Sequence, residues 1–275
     1  MEEKKSFFAN LEPKSAMIVG VVAGFLVLCA IGFVVMLVVY FGGKDNTDNN
    51  QKTPIVDDSQ NTPVPVVVKS DKPVVELFVM AFCPFGLQMQ KAFVPAWELL
   101  KDKADFSVKF VSYAMHGKEE IEENTRQYCI QAEQPEKYIS YLKCFVVGKD
   151  KNGYKSCLTS AGVNEAKLNT CVNNANNKFG IMAKFDDQGS WLNGRYPIYS
   201  VHADLNEKYG VQGSPTLIIN GAEVQANRTP AAVKQAVCAA FNNAPAECAQ
   251  KLSTAAAVAG FGAGTGADTG TAACE

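Results

Sequence analysis

Hydrophobic and polar positions divide the chain into stretches of different character. From Ser15 to Gly43 no side chain is charged, and a lysine stands at each edge of the run. A helix over this run is long enough to cross a hydrocarbon core of about 30 Å. The run is also too long for the apolar part of a cleaved signal peptide. We therefore expect a transmembrane signal anchor at 15–43, preceded by a short cytoplasmic tail at 1–14.

Two segments lack an apolar period and are predicted to be disordered. Residues 44–72 are rich in Asn, Asp, Pro, Thr and Lys, a composition typical of a linker. Residues 253–275 form a tail rich in Gly, Ala and Thr. The part between them, 73–252, has the length of one folded domain.

The hydrophobic pattern within 73–252 predicts a mixed α/β domain. Apolar and β-branched runs indicate buried strands, and apolar residues at helical spacing indicate the helices between them. A crossover helix places the second strand parallel to the first. The predicted strands are Val74–Ala81, Phe106–Tyr113, a short one before Gly221 and Ala222–Gln225, and the predicted helices include Leu87–Lys101 and Pro230–Phe241. The order is βαβ, a long and mainly helical insertion at about 114–208, and ββα.

The sequence Cys83-Pro84-Phe85-Gly86 joins the first strand to the first helix. Free N–H groups and the dipole at a helix N-terminus favour a thiolate, which is the nucleophilic form of cysteine. Proline is well tolerated at the first helical position. The segment therefore predicts a reactive sulfur at Cys83, and the alternative is a buried cysteine without reactivity.

With this motif, the βαβ and ββα order and the later sequence Ser214-Pro215-Thr216, the chain resembles the thioredoxin superfamily. Its long insertion makes it similar to the DsbA-like thiol-disulfide oxidoreductases. The resemblance implies a thioredoxin-like fold, with Cys83 and a cis Pro215 as the catalytic pair. It also implies substrate-positioning roles for the residues around them, which are Pro84, Phe85, Gly86, Ser214 and Thr216.

Gly86 departs from this family, whose motif is Cys-x-x-Cys. Without a second thiol at position 86, Cys83 can form a mixed disulfide but cannot resolve it locally. A separate redox partner would then have to complete each turnover. The sequence thus predicts a monothiol active site, acting on protein thiols and disulfides.

The chain has nine cysteines, and six of them are predicted to form structural disulfides. These six are Cys129, Cys144, Cys157, Cys171, Cys238 and Cys248. The four in the insertion allow three connectivities, whereas Cys238 and Cys248 form a plausible local bridge. The spacing in the insertion is loosely similar to that of lysosomal thiol reductases of the gamma-interferon-inducible type.

Zinc binding is the rival interpretation of the insertion cysteines. No two of them have the two- to four-residue spacing of zinc ligands, and no histidine lies among them. We therefore predict no metal and no cofactor. Cys274 is left over, and flexible chain from Cys248 to Cys274 would span about 28 Å. Cys274 is thus a possible resolving thiol for Cys83.

Charge and cysteine content narrow the function and the compartment. The chain has 26 Lys and Arg against 28 Asp and Glu, which gives no basic surface for nucleic acid. Structural disulfides persist outside the cytosol, and the lysines before the apolar run weakly favour a cytoplasmic N-terminus. These features predict a single-pass protein of the cell membrane with an extracytoplasmic domain.

Three functions are compatible with these features. The leading hypothesis is thiol-disulfide exchange on protein cysteines by a membrane-anchored protein. The alternative is a thioredoxin-fold peptide-binding or protein-binding module without redox activity, and a metal carrier using Cys83 between two chains is weaker. The acidic run Lys118–Glu123 is expected to begin a solvated helix, and His116 and His202 are expected to be surface or packing residues.

Overall fold

A computed structural model of the chain describes residues 67–266. The chain divides into two units, Met1–Asn61 and Thr62–Glu275, and every described residue belongs to the second. The predicted cytoplasmic tail, the membrane segment at 15–43, most of the linker and Cys274 lie outside the described residues. Among the helices of residues 67–266, none is both long and apolar enough to cross a membrane.

Four strands form one mixed sheet. They are β1 (Val74–Val79), β2 (Asp105–Phe110), β3 (Thr216–Ile219) and β4 (Ala222–Glu223), in the order β2-β1-β3-β4. Strand β1 pairs in parallel with β2 and antiparallel with β3. A central strand is shielded on both edges and both faces, which is why the β1 sequence is almost continuously apolar.

Helices cover the sheet and make up the insertion. They are α1 (Pro84–Leu100), α2 (Lys118–Glu133), α3 (Pro135–Val147), α4 (Tyr154–Ala161), α5 (Glu165–Phe179), α6 (Ile181–Asp186), α7 (Ala203–Tyr209) and α8 (Pro230–Ala239). Short 3₁₀ turns occur at Lys151–Gly153, Gln188–Ser190 and Ala246–Ala249. Helix α8 begins as predicted, because Thr229 Oγ1 accepts a hydrogen bond of 3.2 Å from Ala232 N.

The βαβ, helical insertion and ββα order is confirmed. The chain therefore has a mixed α/β, thioredoxin-like fold with a helical insertion. Three strands end earlier than predicted: the first at Val79 and not Ala81, the second at Phe110 and not Tyr113, and the returning strand at Glu223 and not Gln225. Val224 N still donates to Leu217 O over 2.8 Å, so the backbone leaves the ladder gradually.

The alternation of side chains along β1 gives the domain two apolar clusters. Val75, Leu77 and Val79 point into the larger cluster, which also holds the apolar residues of the insertion. Phe78 and Met80 point into a smaller cluster, to which Cys83 also belongs. Cys83 therefore lies on the face of the sheet that carries the smaller apolar cluster.

All six cysteines predicted to be structural form disulfide bonds. Cys129–Cys171 joins α2 to α5, Cys144–Cys157 joins α3 to α4, and Cys238–Cys248 joins α8 to the following 3₁₀ turn. The structure selects one of the three connectivities that the sequence left open. Since these four insertion sulfurs are bonded in pairs, they are not thiolate ligands for zinc.

The two ends of the domain differ from the expectation of disordered flanks. Ser70 forms a parallel bridge with Phe241, so the ordered chain begins before residue 73. At the other end, residues 254–266 pack against α1, and we name them the C-terminal strap. Ala257 and Thr265 form an antiparallel bridge within the strap. A disordered tail is therefore wrong for these residues, and 267–275 lie outside the described part of the chain.

Candidate active site

Cys83 caps the N-terminus of α1. Its backbone is extended, and its sulfur accepts a hydrogen bond of 3.4 Å from Gly86 N. Pro84 occupies the first helical turn and is exposed, and Leu87 N donates to Cys83 O over 2.8 Å. Cys83 itself is 0% exposed. The helix start therefore stabilises negative charge on a sulfur that is shielded from bulk water.

A second loop, just before β3, closes over this sulfur. Cys83 Sγ lies 3.2 Å from Ser214 O. The Ser214–Pro215 peptide bond is cis, as the family resemblance implies, and Pro215 is half-buried beside the turn. Thr216 Oγ1 donates to Gly213 O over 2.9 Å, which fixes the loop at the start of β3. The residues that the sequence places far apart are thus brought together around one sulfur.

The Ser214 side chain fills the space beside position 86. Ser214 Oγ accepts a hydrogen bond of 2.9 Å from Met80 N. A Cβ atom added to Gly86 would lie only 2.6 Å from that oxygen and 3.2 Å from Met80 O. With Ser214 in place, a side chain at the fourth motif position has to displace the hydroxyl group that holds the end of β1.

Two side chains of α2 hold the turn that leads to Cys83. Ala81 N donates to Asn124 Oδ1 over 3.0 Å, and Phe82 N donates to Glu120 Oε1 over 2.9 Å. Both acceptors are 0% exposed. Since buried N–H groups must be paired, these two side chains fix the path of the backbone immediately before the sulfur.

The Glu120 carboxylate also binds the start of its own helix. Its second oxygen accepts from Met115 N over 2.9 Å and from His116 N over 3.1 Å, and the His116 ring lies 2.7 Å from Oε1. The hydrogen bond to Glu120 raises the pKa of His116, and its partial burial acts in the opposite direction. One buried carboxylate therefore links the Cys83 turn to the N-terminus of α2.

Sequence reasoning missed this role of the acidic run. Lys118–Glu123 was expected to be solvated, yet Glu120 is 0% and Glu123 is 1% exposed. Arg126 forms an ion pair with Glu123, and Tyr141 OH donates a hydrogen bond of 2.8 Å to Glu123 Oε1. Burial raises the pKa of Glu123, and the Arg126 guanidinium acts against this rise. The available signal was a polar stripe at helical spacing, formed by Glu120, Glu123, Asn124 and Gln127.

A cavity of about 280 Å³ lies beside the turn. Phe82 lines it together with charged residues from α2 and the following elements, which include Glu119, Glu123, Arg126, Lys151 and Lys155. The Arg126 guanidinium stacks over the Tyr154 ring at 3.8 Å. A mixed-charge recess thus adjoins the residue that precedes Cys83.

Phe85 completes the first turn of α1. The Arg228 guanidinium lies over its ring at 5.0 Å, and Arg228 is 2% exposed. Arg228 Nη1 also donates to Gln88 Oε1 over 3.4 Å. The buried Arg228 guanidinium therefore forms a cation–π contact with the Phe85 ring. Phe85, like Pro84 and Gly86, lies in the turn that presents the sulfur.

The two histidines, His116 and His202, have different hydrogen-bond partners. His116 is tied to Glu120, whereas His202 accepts a hydrogen bond of 3.0 Å from Phe110 N and stacks on the Phe110 ring. Burial lowers the pKa of His202 to about 3, and Lys109 adds to the effect. His202 is therefore a neutral packing residue. Within residues 67–266 no group of three or more His, Cys, Asp or Glu side chains is placed to hold a metal ion.

Cys83 is itself disulfide-bonded. The other six cysteines of residues 67–266 are paired with one another. The partner of Cys83 is therefore not among the described residues. The site is thus described with its sulfur in the oxidised state.

Several solved structures are similar to this chain. The reduced form of the disulfide bond oxidoreductase DsbG from Mycobacterium tuberculosis is 19% identical, with a TM-score of 0.45, over 66% of this chain and 88% of that chain. Reduced DsbA from Mycobacterium tuberculosis is 18% identical, with a TM-score of 0.45, over 66% of this chain and 93% of that chain. MdbA, a thiol-disulfide oxidoreductase from Actinomyces oris, is 15% identical, with a TM-score of 0.42, over 63% of this chain and 84% of that chain.

These structural neighbours are DsbA-like and DsbG-like thiol-disulfide oxidoreductases of low sequence identity. No protein-family model matches the sequence, and no curated protein matches it significantly.

Proposed function

We propose that this protein carries out thiol-disulfide exchange on the cysteines of other proteins, with Cys83 as the exchanging sulfur. The single observation that carries the proposal is the position of Cys83 Sγ, between Gly86 N at the start of α1 and Ser214 O in the cis-proline loop. Helix N–H groups stabilise the thiolate that attacks or leaves in each exchange step.

The substrate class follows from the loop beside the sulfur. Backbone groups of an extended client segment can pair with an irregular loop next to a sheet, as in strand addition. Pro215 and Thr216 are half-buried, so this loop keeps an exposed part that a client backbone can contact. Because Gly86 supplies no second sulfur, another thiol must complete the exchange.

Membrane anchoring belongs to the same proposal. The uncharged run Ser15–Gly43 supports a single transmembrane segment with the domain outside the cytosol. Three disulfide bonds in the described domain support an oxidising compartment. Extraction of membranes at alkaline pH tests the anchor: the full chain should stay in the pellet, and a chain lacking 15–43 should be released.

The exchange reaction is tested on the full chain after reduction. Cys83 should be alkylated at pH 6 at least tenfold faster than a free cysteine, and oxidised glutathione should form a mixed disulfide with it. Cys83→Ser should abolish both reactions, while Ser156→Cys, which adds an exposed thiol on α4, serves as a control for an ordinary cysteine. An unreactive Cys83 in the folded, reduced chain contradicts the proposal.

A binding module without redox activity is the second candidate. The observation that favours it is the complete burial of Cys83, which limits access of a client sulfur. Such a module would retain a reduced, unfolded client equally well with Cys83→Ser, and no mixed disulfide with the client would form. Client retention that is lost in Cys83→Ser supports exchange instead.

A further inference from the structure

The C-terminal strap lies against the first turns of α1. Gln88 Nε2 donates to Ala257 O over 2.7 Å, and Lys91 Nζ donates to Val258 O over 2.9 Å and to Gly260 O over 2.7 Å. Gln88 is 0% exposed, so its amide is committed to structural contacts. The strap is therefore held by side chains on the same helix whose N-terminus carries Cys83.

The strap also contacts both neighbours of Cys83. Gly260 N donates to Pro84 O over 2.9 Å. The Phe261 ring packs against Phe82 at 6.1 Å and against Phe145 at 5.2 Å between centroids. Aromatic pairs at such distances are stabilising. The strap is thus fixed to the residues on either side of the candidate sulfur.

Counting the cysteines leaves two possible partners for Cys83. Cys83 is disulfide-bonded, and the remaining six cysteines of residues 67–266 bond to one another. The rest of the sequence contains only Cys29 and Cys274. Cys29 lies in the uncharged run that is expected to enter a membrane. Cys274 follows the strap closely, and the chain from Gly266 to Cys274 reaches at most about 29 Å.

We propose that Cys274 is the disulfide partner of Cys83 and serves as its resolving sulfur. This inference rests on the proposed exchange function and supplies the second thiol that position 86 cannot carry. The strap passes the start of α1 and ends eight residues before Cys274, so the pair would be assembled from two distant parts of the sequence and not from one motif. The redox-active unit is then a dithiol in a single chain.

The exchange balances with these two sulfurs. The Cys83 thiolate attacks a client disulfide, one client sulfur leaves as a thiolate and takes up a proton, and a mixed disulfide forms. The Cys274 thiolate then attacks Cys83 Sγ, which releases the second client sulfur and forms the Cys83–Cys274 bond. Two electrons pass from the pair to the client, and a dithiol reductant restores the pair. The reverse steps oxidise a client dithiol.

Mapping of the disulfides in the full chain tests the inference. The chain is purified without reductant, alkylated, digested and analysed by mass spectrometry. Most Cys83 should be recovered linked to Cys274 in a chain that runs as a monomer on a non-reducing gel. Cys29→Ser is the matched control and should retain the link. A bond between Cys83 and Cys29, a free Cys274 or a link between two chains overturns the proposal.

A second measurement separates this inference from the exchange function. With oxidised glutathione, reduced Cys274→Ser should accumulate at least tenfold more mixed disulfide at Cys83 than the wild type, because resolution is lost. Equal accumulation overturns the resolving role of Cys274 while leaving exchange at Cys83 intact. No mixed disulfide in Cys274→Ser, even though Cys83 and Cys274 are linked in the wild type, overturns both.

Discussion

Ser214 Oγ occupies the position that a side chain at residue 86 would need, with only 2.6 Å to a Cβ atom built there. The hydroxyl group is fixed because it accepts the hydrogen bond of Met80 N at the end of β1. The absence of a second cysteine from the motif is thus coupled to the choice of serine before the cis-proline. Position 86 and position 214 have to change together.

Gly86→Ala should destabilise the fold by about 1–3 kcal/mol, the usual cost of overpacking a filled site. Ser214→Ala should also destabilise it by about 1–3 kcal/mol, because Met80 N loses its acceptor. In the double variant the added methyl group no longer meets the hydroxyl oxygen. The two costs should therefore be non-additive by more than about 0.5 kcal/mol in urea unfolding. Strict additivity would contradict the contact.

Glu120→Gln should weaken the Cys83 turn more than Glu119→Gln does. The amide keeps the shape of the carboxylate. Its NH₂ group, however, would face a backbone N–H group whose hydrogen bond the carboxylate oxygen accepts, and that bond would be lost. We expect a loss of about 2–3 kcal/mol in the free energy of unfolding. Glu119→Gln is the matched control, since this exposed residue forms only a surface ion pair with Lys151.

Alkylation of reduced Cys83 distinguishes a positioning role of Glu120 from general loss of stability. Glu120→Gln should change the alkylation rate of Cys83 under conditions where circular dichroism shows that the protein is folded. Glu119→Gln should leave the rate unchanged. If both variants react like the wild type, Glu120 supports the fold without positioning the sulfur.

His202 should make the domain sensitive to acid. Its pKa is lowered to about 3 in the folded chain, against about 6.5 in an unfolded one. The unfolded state therefore binds the proton first, and stability that is fully present above pH 6.5 is lost as the pH falls towards 3. His202→Asn retains an acceptor for Phe110 N and removes the titration.

Urea unfolding at several pH values between 7 and 4 checks this prediction. The free energy of unfolding should fall more steeply with decreasing pH in the wild type than in His202→Asn. The stability of the variant relative to the wild type should therefore rise as the pH falls. Carboxylates elsewhere contribute equally to both proteins and cancel in the comparison. Parallel pH curves would show that His202 does not titrate in this way.

Lys91→Met should release the strap from α1. The substitution removes the donor to Val258 O and Gly260 O while keeping the apolar part of the side chain. Amide hydrogen exchange at Gly260, whose N–H group bonds to Pro84 O, should accelerate at least tenfold. Lys101→Met, at the exposed residue that caps the C-terminus of the same helix, should leave this exchange unchanged. Unaltered protection in Lys91→Met would mean that Lys91 does not secure the strap.

The sequence predicts the elements around the sulfur because their signals are local. The apolar run of β1, the Cys83-Pro84 helix start and the Ser214-Pro215 turn each depend on a few adjacent residues. The role of Glu120 is not local, since its partners at Phe82 and Met115 are backbone N–H groups that any sequence provides. An acidic run therefore resembles a solvated helix start until the helix is placed against the turn.

The strap escapes sequence analysis for a related reason. Its small residues offer no hydrophobic period, and it is held mainly through its own carbonyl groups by Gln88 and Lys91. Phe261 is the one large apolar anchor of residues 254–266. Nor does cysteine spacing reveal the pairing in the insertion, because it depends on how α2, α3, α4 and α5 pack.

None of the three described disulfide bonds has a cysteine in the sheet or in α1. In a strongly reducing environment the insertion would therefore lose its covalent constraints, on loops of 42 and 13 residues, before the sheet is affected. Because Glu120 and Asn124 of α2 hold the turn before Cys83, loosening of the insertion would also reach that turn. The conformation of the turn before Cys83 would then depend on the redox state of the Cys129–Cys171 bond, separately from the state of Cys83 itself.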